Sequence, residues 1–79
     1  MRYVYVLRSE SDGNLYVGKT RDVLRRLEEH NKGEVLSTKD RTPLELLTYV
    51  AVEDEQKAGK LEIYFKSGSG KAFLKKHLL

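Results

Sequence analysis

Two short runs rich in β-branched and aromatic residues, Tyr3 to Leu7 and Leu15 to Val17, constrain this chain more than any other feature. Between them lies Arg8-Ser9-Glu10-Ser11-Asp12-Gly13-Asn14, which is polar and holds Asp-Gly. Such runs on either side of a turn-forming insert predict a β-hairpin with strands over Tyr3–Arg8 and Leu15–Gly18. If Arg8 pairs with Gly13, Tyr5 stands opposite Tyr16 on the same face, about 5 Å away at Cβ. An odd-numbered slip would put the two rings on opposite faces.

The hairpin is followed by a helix signal. Thr20 has the chemistry of an N-cap. Val23, Leu24, Leu27 and Asn31 fall at helical spacing from Arg21 to Asn31, and Gly33 supplies a stop. Asp22 falls in the first turn, where negative charge suits the helix dipole. Arg26 and His30 are one turn apart and project together. Arg25 has Glu29 at the same spacing, an ordinary surface pair worth about 0.3–0.5 kcal/mol. Strand, turn, strand and helix thus gather two tyrosines, a lysine, two arginines and a histidine around one junction.

The remainder predicts three more elements. Lys32 to Thr42 is a polar loop with Val35 and Leu36 turned inward. Pro43 sets the start of a strand over Leu44–Val52. The apolar run Leu46–Val52 in that strand is expected to lie between layers. Asp54 caps a helix from Glu55 to Lys66, with Ala58, Leu61, Tyr64 and Phe65 as its apolar stripe and Glu62 beside it. Gly59 weakens that helix by about 1 kcal/mol relative to alanine. Ser67-Gly68-Ser69-Gly70 breaks it. Lys71 to Leu79 forms a short last helix whose Phe73, Leu74 and Leu78 pin the C-terminus to the core. No repeat, linker or second domain interrupts residues 1–79.

Length and composition bound the function. The 79 residues suit one domain with a modest core, and 39% of them are hydrophobic. There is no cysteine, which excludes a disulfide scaffold and a thiolate metal site and fits a reducing compartment. The N-terminal apolar run is too short for a signal peptide, and nothing reaches transmembrane length, so a cytoplasmic chain without membrane contact is expected. The net charge of +3 is mild, but it is unevenly spread. From Gly59 onward there are five lysines and one acid; from Pro43 to Ala58 there are four acids and one lysine. The basic tail and basic first helix could attract phosphates. A solvated lysine-rich face gives the same pattern.

The residues permit a narrow range of chemistry. His30 and His77 share no metal-ligand spacing, and neither Asp-x-Asp nor His-Glu-x-x-His occurs. One carboxylate suffices for Mg²⁺ when phosphate and water complete the octahedron, and Glu62 is the candidate. Lys66 at i+4 offers Glu62 an ordinary surface pair, the simpler account from sequence alone. A tyrosine with its ordinary pKa of about 10 is a poor base unless a cation favours the phenolate. Lys19, Arg26 and the helix N-terminus supply positive charge near Tyr16. Tyr5 and Tyr16 packed as plain sheet aromatics would show the same spacing. No Ser-His-acid set stands out. Gly18-Lys19-Thr20 matches only the last three residues of a phosphate loop.

In order and spacing these residues resemble the GIY-YIG nucleases, in particular the small stand-alone members. They are also similar to the nuclease domain of the nucleotide-excision-repair incision subunit. Tyr3-Val4-Tyr5 stands at the first motif, with tyrosine in place of its glycine, and Tyr16-Val17-Gly18 matches the second. Tyr5 and Tyr16 are eleven residues apart. Asp22-Val23-Leu24-Arg25-Arg26-Leu27 and Glu29-His30-Asn31 look like the family's helix. Arg41-Thr42-Pro43-Leu44 and Ala58-x3-Glu62-x3-Lys66 resemble later segments.

The resemblance implies an α/β (α+β) fold with a three-stranded antiparallel sheet flanked by about three helices. It implies a DNA endonuclease using one divalent metal, Mg²⁺ or Mn²⁺. Tyr5 and Tyr16 would be the site tyrosines, with Tyr16 the base and Lys19 favouring its phenolate. Arg26 would hold the scissile phosphate, His30 would position water or relay a proton, and Glu62 would bind the metal. Lys19, Arg25, Arg26, Arg41, Lys66 and Lys71 would meet DNA. Many members carry an asparagine near the C-terminal end of the domain, whereas Asn31 is the last one here. With no appended DNA-binding domain, specificity is expected from a partner or from DNA structure, or to be low. A repair or recombination protein is the expected partner, and a monomer or weak dimer the expected state. Two other classes remain open. One is a nucleic-acid-binding module without cleavage. The other is an interaction domain that joins a repair complex through the Leu44–Val52 edge or the C-terminal helix.

Overall fold

A computed structural model describes residues Met1–Leu79. Its elements in chain order are β1 (Arg2–Ser9), β2 (Leu15–Thr20), α1 (Val23–Asn31), β3 (Leu44–Val52), α2 (Glu55–Lys66) and α3 (Gly68–His77). The strands form one antiparallel sheet in the order β2-β1-β3. A central strand must bury both faces, and the uninterrupted run Tyr3–Leu7 supplies that. Val4 and Val6 pack on one face with Val17, Ala58, Phe65 and Leu74. Tyr5 and Leu7 pack on the other with Leu44, Tyr16, Val23 and Leu27. Thus α2 and α3 cover one face and α1 the other. The fold is the expected α+β arrangement of three antiparallel strands and three helices.

Several expectations are corrected. The hairpin pairs Arg8 with Leu15, so Leu7 faces Tyr16 and Tyr5 faces Gly18. That is two residues away from the expected register. An even shift keeps Tyr5 and Tyr16 on one face. The strand Leu44–Val52 has the expected bounds but lies at the sheet edge rather than between layers, and its Tyr49 is 53% exposed. Its continuous apolar run is explained by a bulge. Val6 pairs with Thr48 and Leu7 with Leu46, which leaves Leu47 extra. Leu47 then packs against the first cluster and Leu46 against the second.

Helix α1 starts at Val23 rather than Arg21, because Asp22 and not Thr20 caps it. The Asp22 Oδ1 accepts the Arg25 N–H at 3.1 Å. Thr20 ends β2, and its Oγ1 accepts the Asp22 N–H at 3.1 Å. In the loop that follows, Val35 is buried as expected, but Leu36 is 81% exposed and Thr38 takes the interior place. Asn31 ties the end of α1 to the start of β3. Its Nδ2 donates to the Leu44 carbonyl at 3.0 Å and its Oδ1 accepts the Leu44 N–H at 2.7 Å.

Helix α2 has its expected bounds and cap, with Asp54 Oδ1 accepting the Lys57 N–H at 2.8 Å. The Ser-Gly-Ser-Gly stretch does end α2, but it is also the first turn of α3. Ser67 caps α3 by accepting the Gly70 N–H at 3.0 Å. Gly70 is there for space, since a Cβ would run into the Tyr64 carbonyl and the Phe65 backbone. Gly68, one turn surface away, faces open space. Gly70→Ala should therefore lower stability by about 1–3 kcal/mol through overpacking, while Gly68→Ala should be neutral or slightly stabilising. Urea midpoints of the two variants check this; equal midpoints would remove the packing role given to Gly70.

Candidate active site

The site begins with the register of the hairpin. Tyr5 sits in mid-β1 opposite Gly18, and a Cβ on Gly18 would run into the Tyr5 hydroxyl and its ring carbon. The missing side chain lets the Tyr5 ring lie across the edge strand β2. Its hydroxyl meets His30 Nε2 at 2.8 Å, and His30 Nδ1 lies 2.6 Å from Thr38 Oγ1. Tyr5, His30 and Thr38 are all buried. The Tyr16 ring completes the cluster, centred 6.4 Å from the Tyr5 ring and 5.1 Å from that of His30. Tyr16 is half-buried, with Ser37 Oγ 3.4 Å from its hydroxyl.

His30 is therefore a core residue, not part of a solvated helix face. Burial, reinforced by the positive charge of Arg26 and opposed by Glu29, pulls its pKa down to about 4. A neutral imidazole has one donor and one acceptor nitrogen. Either Tyr5 donates to Nε2 and Nδ1–H donates to Thr38, or Thr38 donates to Nδ1 and Nε2–H donates to Tyr5. Both arrangements give each ring nitrogen a hydrogen-bond partner. Burial raises the pKa of Tyr5; the neighbouring Arg26 guanidinium opposes this and Tyr16 adds to it. Arg26 is raised in turn by Tyr5 and then Glu29. The Arg26 Nη1 lies 3.0 Å from Glu29 Oε1. Glu29 also pairs with Arg25, at 3.6 Å, so it does not distinguish the two arginines as expected. Exposure does: the Arg25 side chain is 76% exposed and that of Arg26 37%.

Two predicted members of the site come from the other side of the sheet. Lys19 lies on the face opposite Tyr16 and pairs with Glu55 at 2.6 Å, its ammonium over Gly59. Arg26, not Lys19, is the cation placed against the Tyr5 hydroxyl. Glu62 belongs to α2, in the layer opposite Tyr16. Its side chain is only 18% exposed, and its charge acts on both Tyr5 and Lys19. The i+4 pair with Lys66 is formed, at 3.5 Å.

No cluster of three or more His, Asp or Glu side chains could cage a metal. A single, largely shielded carboxylate close enough to Tyr5 and Lys19 for its charge to act on both fits a hard divalent cation that takes its other oxygens from phosphate and water. A cleft of about 340 Å³ lies alongside; Arg26, the guanidinium beside Tyr5, is in its wall, while the tyrosines and Glu62 do not line it. Five cations line it, Arg2, Lys19, Arg21, Arg25 and Arg26, against Asp22 and Glu29, so it suits an anion. Arg41 and Lys71 lie in a different cleft. Sequence reasoning missed Thr38 and Glu55. Neither sits on a periodic pattern, and their partners are 8 and 36 residues away in the chain (38 − 30; 55 − 19).

The depressed histidine makes stability depend on pH. Above about pH 6.5 His30 is neutral folded and unfolded, and the fold keeps its full stability. As pH falls toward 4 the unfolded chain takes up the proton first, and stability is lost. The loss should be about 2 kcal/mol between about pH 8 and pH 5. Denaturant titrations of wild type and His30→Gln check it: the wild-type midpoint should fall and the variant's should fall less. Parallel curves would mean that His30 protonates within the fold.

The chain matches the GIY-YIG catalytic domain over residues 1–76. It is 42% identical over 79 residues to a UPF0213 protein of Streptococcus agalactiae, covering 95% of this chain and 89% of that one. It is 41% identical over 70 residues to a UPF0213 protein of Listeria monocytogenes, covering 87% and 77%. The solution NMR structure of a UPF0213 protein from Bacillus halodurans superposes with a TM-score of 0.59 at 34% identity, over 96% of this chain and 84% of that one. The three-stranded sheet is thus shared with a solved relative, and the chain belongs to the GIY-YIG family, among its small UPF0213 members.

Proposed function

We propose that this chain is a metal-dependent endonuclease that hydrolyses a DNA phosphodiester. The observation that carries the reading is the packing of Tyr5, Tyr16 and His30 into one cluster, which Arg26, beside Tyr5, joins to a cleft lined by five cations. Membership of a family defined by a catalytic domain supports nuclease chemistry. DNA is the substrate that such a domain and such a cleft suit.

The roles follow from burial and charge. Arg2, Lys19, Arg21 and Arg25 attract the backbone. Arg26, held by Glu29, donates to the non-bridging oxygens of the scissile phosphate, where charge grows as water attacks phosphorus. Tyr5 is buried and kept protonated; with His30 Nε2–H donating to it, its own hydroxyl proton is directed to the phosphate. Tyr16 is the accessible tyrosine; its phenolate takes the proton from the attacking water while the bond from phosphorus to the leaving oxygen breaks. His30 is sealed from solvent and acts only through Tyr5, as a positioning residue. Glu62 would hold the divalent metal, Mg²⁺ or Mn²⁺, releasing Lys66 to do so. When bound, the metal neutralises charge on the phosphate and the leaving oxygen.

The test is single-turnover cleavage of supercoiled and branched DNA with Mg²⁺ or Mn²⁺. Tyr16→Phe should keep the fold and DNA binding but lose cleavage by about 10²–10⁴-fold. Arg26→Ala should abolish cleavage, while Arg25→Ala mainly weakens binding. Glu62→Gln should raise the metal concentration needed for half-maximal rate. Wild-type binding without cleavage would favour a binding module, and near-normal cleavage by Tyr16→Phe would remove Tyr16 as the base.

A further inference from the structure

A second cleft, larger than the one beside Arg26, lies away from the tyrosines. Its volume is about 720 Å³, and it opens at the opposite end of the hairpin, lined by Arg8, the Asp12–Leu15 turn, Arg41, Lys71 and Lys75. Its one acid, Asp12, is already paired with Arg41, Oδ2 to Nε at 2.8 Å. Arg41 is further fixed by donating from Nη2 to the Asn14 carbonyl at 3.2 Å. Arg8 has only a long contact to Glu45, at 3.7 Å. Lys71 and Lys75 make no ion pair at all. They stand four residues apart on one face of α3, a spacing at which like charges destabilise a helix. Lys71 also lies near the α3 N-terminus, where the dipole disfavours a cation. Nothing in the fold is gained by this placement.

We propose that this second cleft binds backbone phosphates of the same nucleic acid that enters the candidate active site, so that the hairpin is clamped at both ends. The inference rests on the nucleic-acid reading given above but not on cleavage. Arg2 lies in the first cleft and Arg8 in the second. Six residues of β1 separate them, a span of about 20 Å, or about six base pairs of duplex. The edge strand β2 runs along the same span from Leu15 in one cleft to Lys19 in the other, and Arg2, Arg8 and Lys19 share the sheet face opposite the tyrosines. A nucleic-acid strand laid along this edge would hold a phosphate near each end of β2. Arg41 and Lys71 belong to the distal grip. Lys66, occupied with Glu62, does not.

The experiment is fluorescence anisotropy of the full chain with duplex DNA longer than the span, without divalent metal, over a salt series. Wild type is compared with Lys71→Gln/Lys75→Gln and with Lys57→Gln/Lys60→Gln, which removes equal charge from outside both clefts. The distal double variant should bind several-fold more weakly, and its slope of log affinity against log salt should be shallower by about two. Lys71→Arg/Lys75→Arg should restore both. Equal losses in the two glutamine variants, an unchanged slope, or no binding by wild type would each overturn the proposal. Cleavage is measured in parallel. A normal slope change without any cleavage leaves the clamp standing and removes the nuclease reading; cleavage with an unchanged slope does the reverse.

Discussion

The hydrogen bond between Tyr5 and His30 is the interaction on which the rest of the structure depends. It joins the central strand to α1, and through Thr38 it also fixes the loop that leads to β3. All three side chains are shut from water, where an unpaired hydroxyl would cost about 1–3 kcal/mol. The chain therefore has one arrangement of strand, helix and loop in which the polar groups are all satisfied, and no buried side-chain polar atom lacks a partner. Asn31 repeats the device one residue further on, closing both backbone groups of Leu44. These two ties hold α1 on a face of the sheet whose apolar cluster is the smaller of the two.

The larger cluster, under α2 and α3, leaves its charged groups at the rim. Glu55 reaches both Arg2 and Lys19, and Glu62 reaches Lys66. Exposed pairs of this kind contribute little to stability. Their consequence is positional: they hold cations of one layer beside Arg26 of the other, along the edge strand that separates the layers. A basic surface follows although the net charge is only +3, because acids and bases are segregated rather than mixed. The distal cleft repeats the pattern, with Asp12 holding Arg41 in place and the two α3 lysines left unpaired.

What could be read in the sequence was periodicity and capping chemistry. The bounds of β3 and of α2, the Asp54 cap, the two tyrosine-bearing strands and the shared face of Tyr5 and Tyr16 all follow from local pattern. What could not be read depends on contacts between distant residues. A polar histidine on a helix with arginines looked solvated, and only Tyr5 and Thr38 together make its burial tolerable. Lys19 looked like a partner of Tyr16 because it is three residues away, but strand alternation sends it through to Glu55. The glycines before Lys71 looked like a break, whereas Gly70 is what lets α3 begin against the end of α2. The apolar run of β3 looked like a buried strand because a bulge shifts its facing within one uninterrupted sequence.

The two-residue difference in hairpin register explains why the second motif ends in glycine. Had Tyr16 stood directly opposite Tyr5, two rings would have shared one cross-strand site, and neither hydroxyl could have crossed the edge strand. With Leu7 opposite Tyr16 and Gly18 opposite Tyr5, each ring has its own place. Tyr5 lies over the glycine and reaches His30; Tyr16, a diagonal neighbour, stays at the surface beside the same imidazole. The two hydroxyls then inhabit different environments, one dry and hydrogen-bonded, the other half open to solvent. Different environments are what separate the tasks of otherwise identical groups in a site. Tyr5 suits a fixed donor because burial keeps its proton on, and Tyr16 suits exchange with water because it can be reached. The difference between the two environments is set by a residue without a side chain, Gly18.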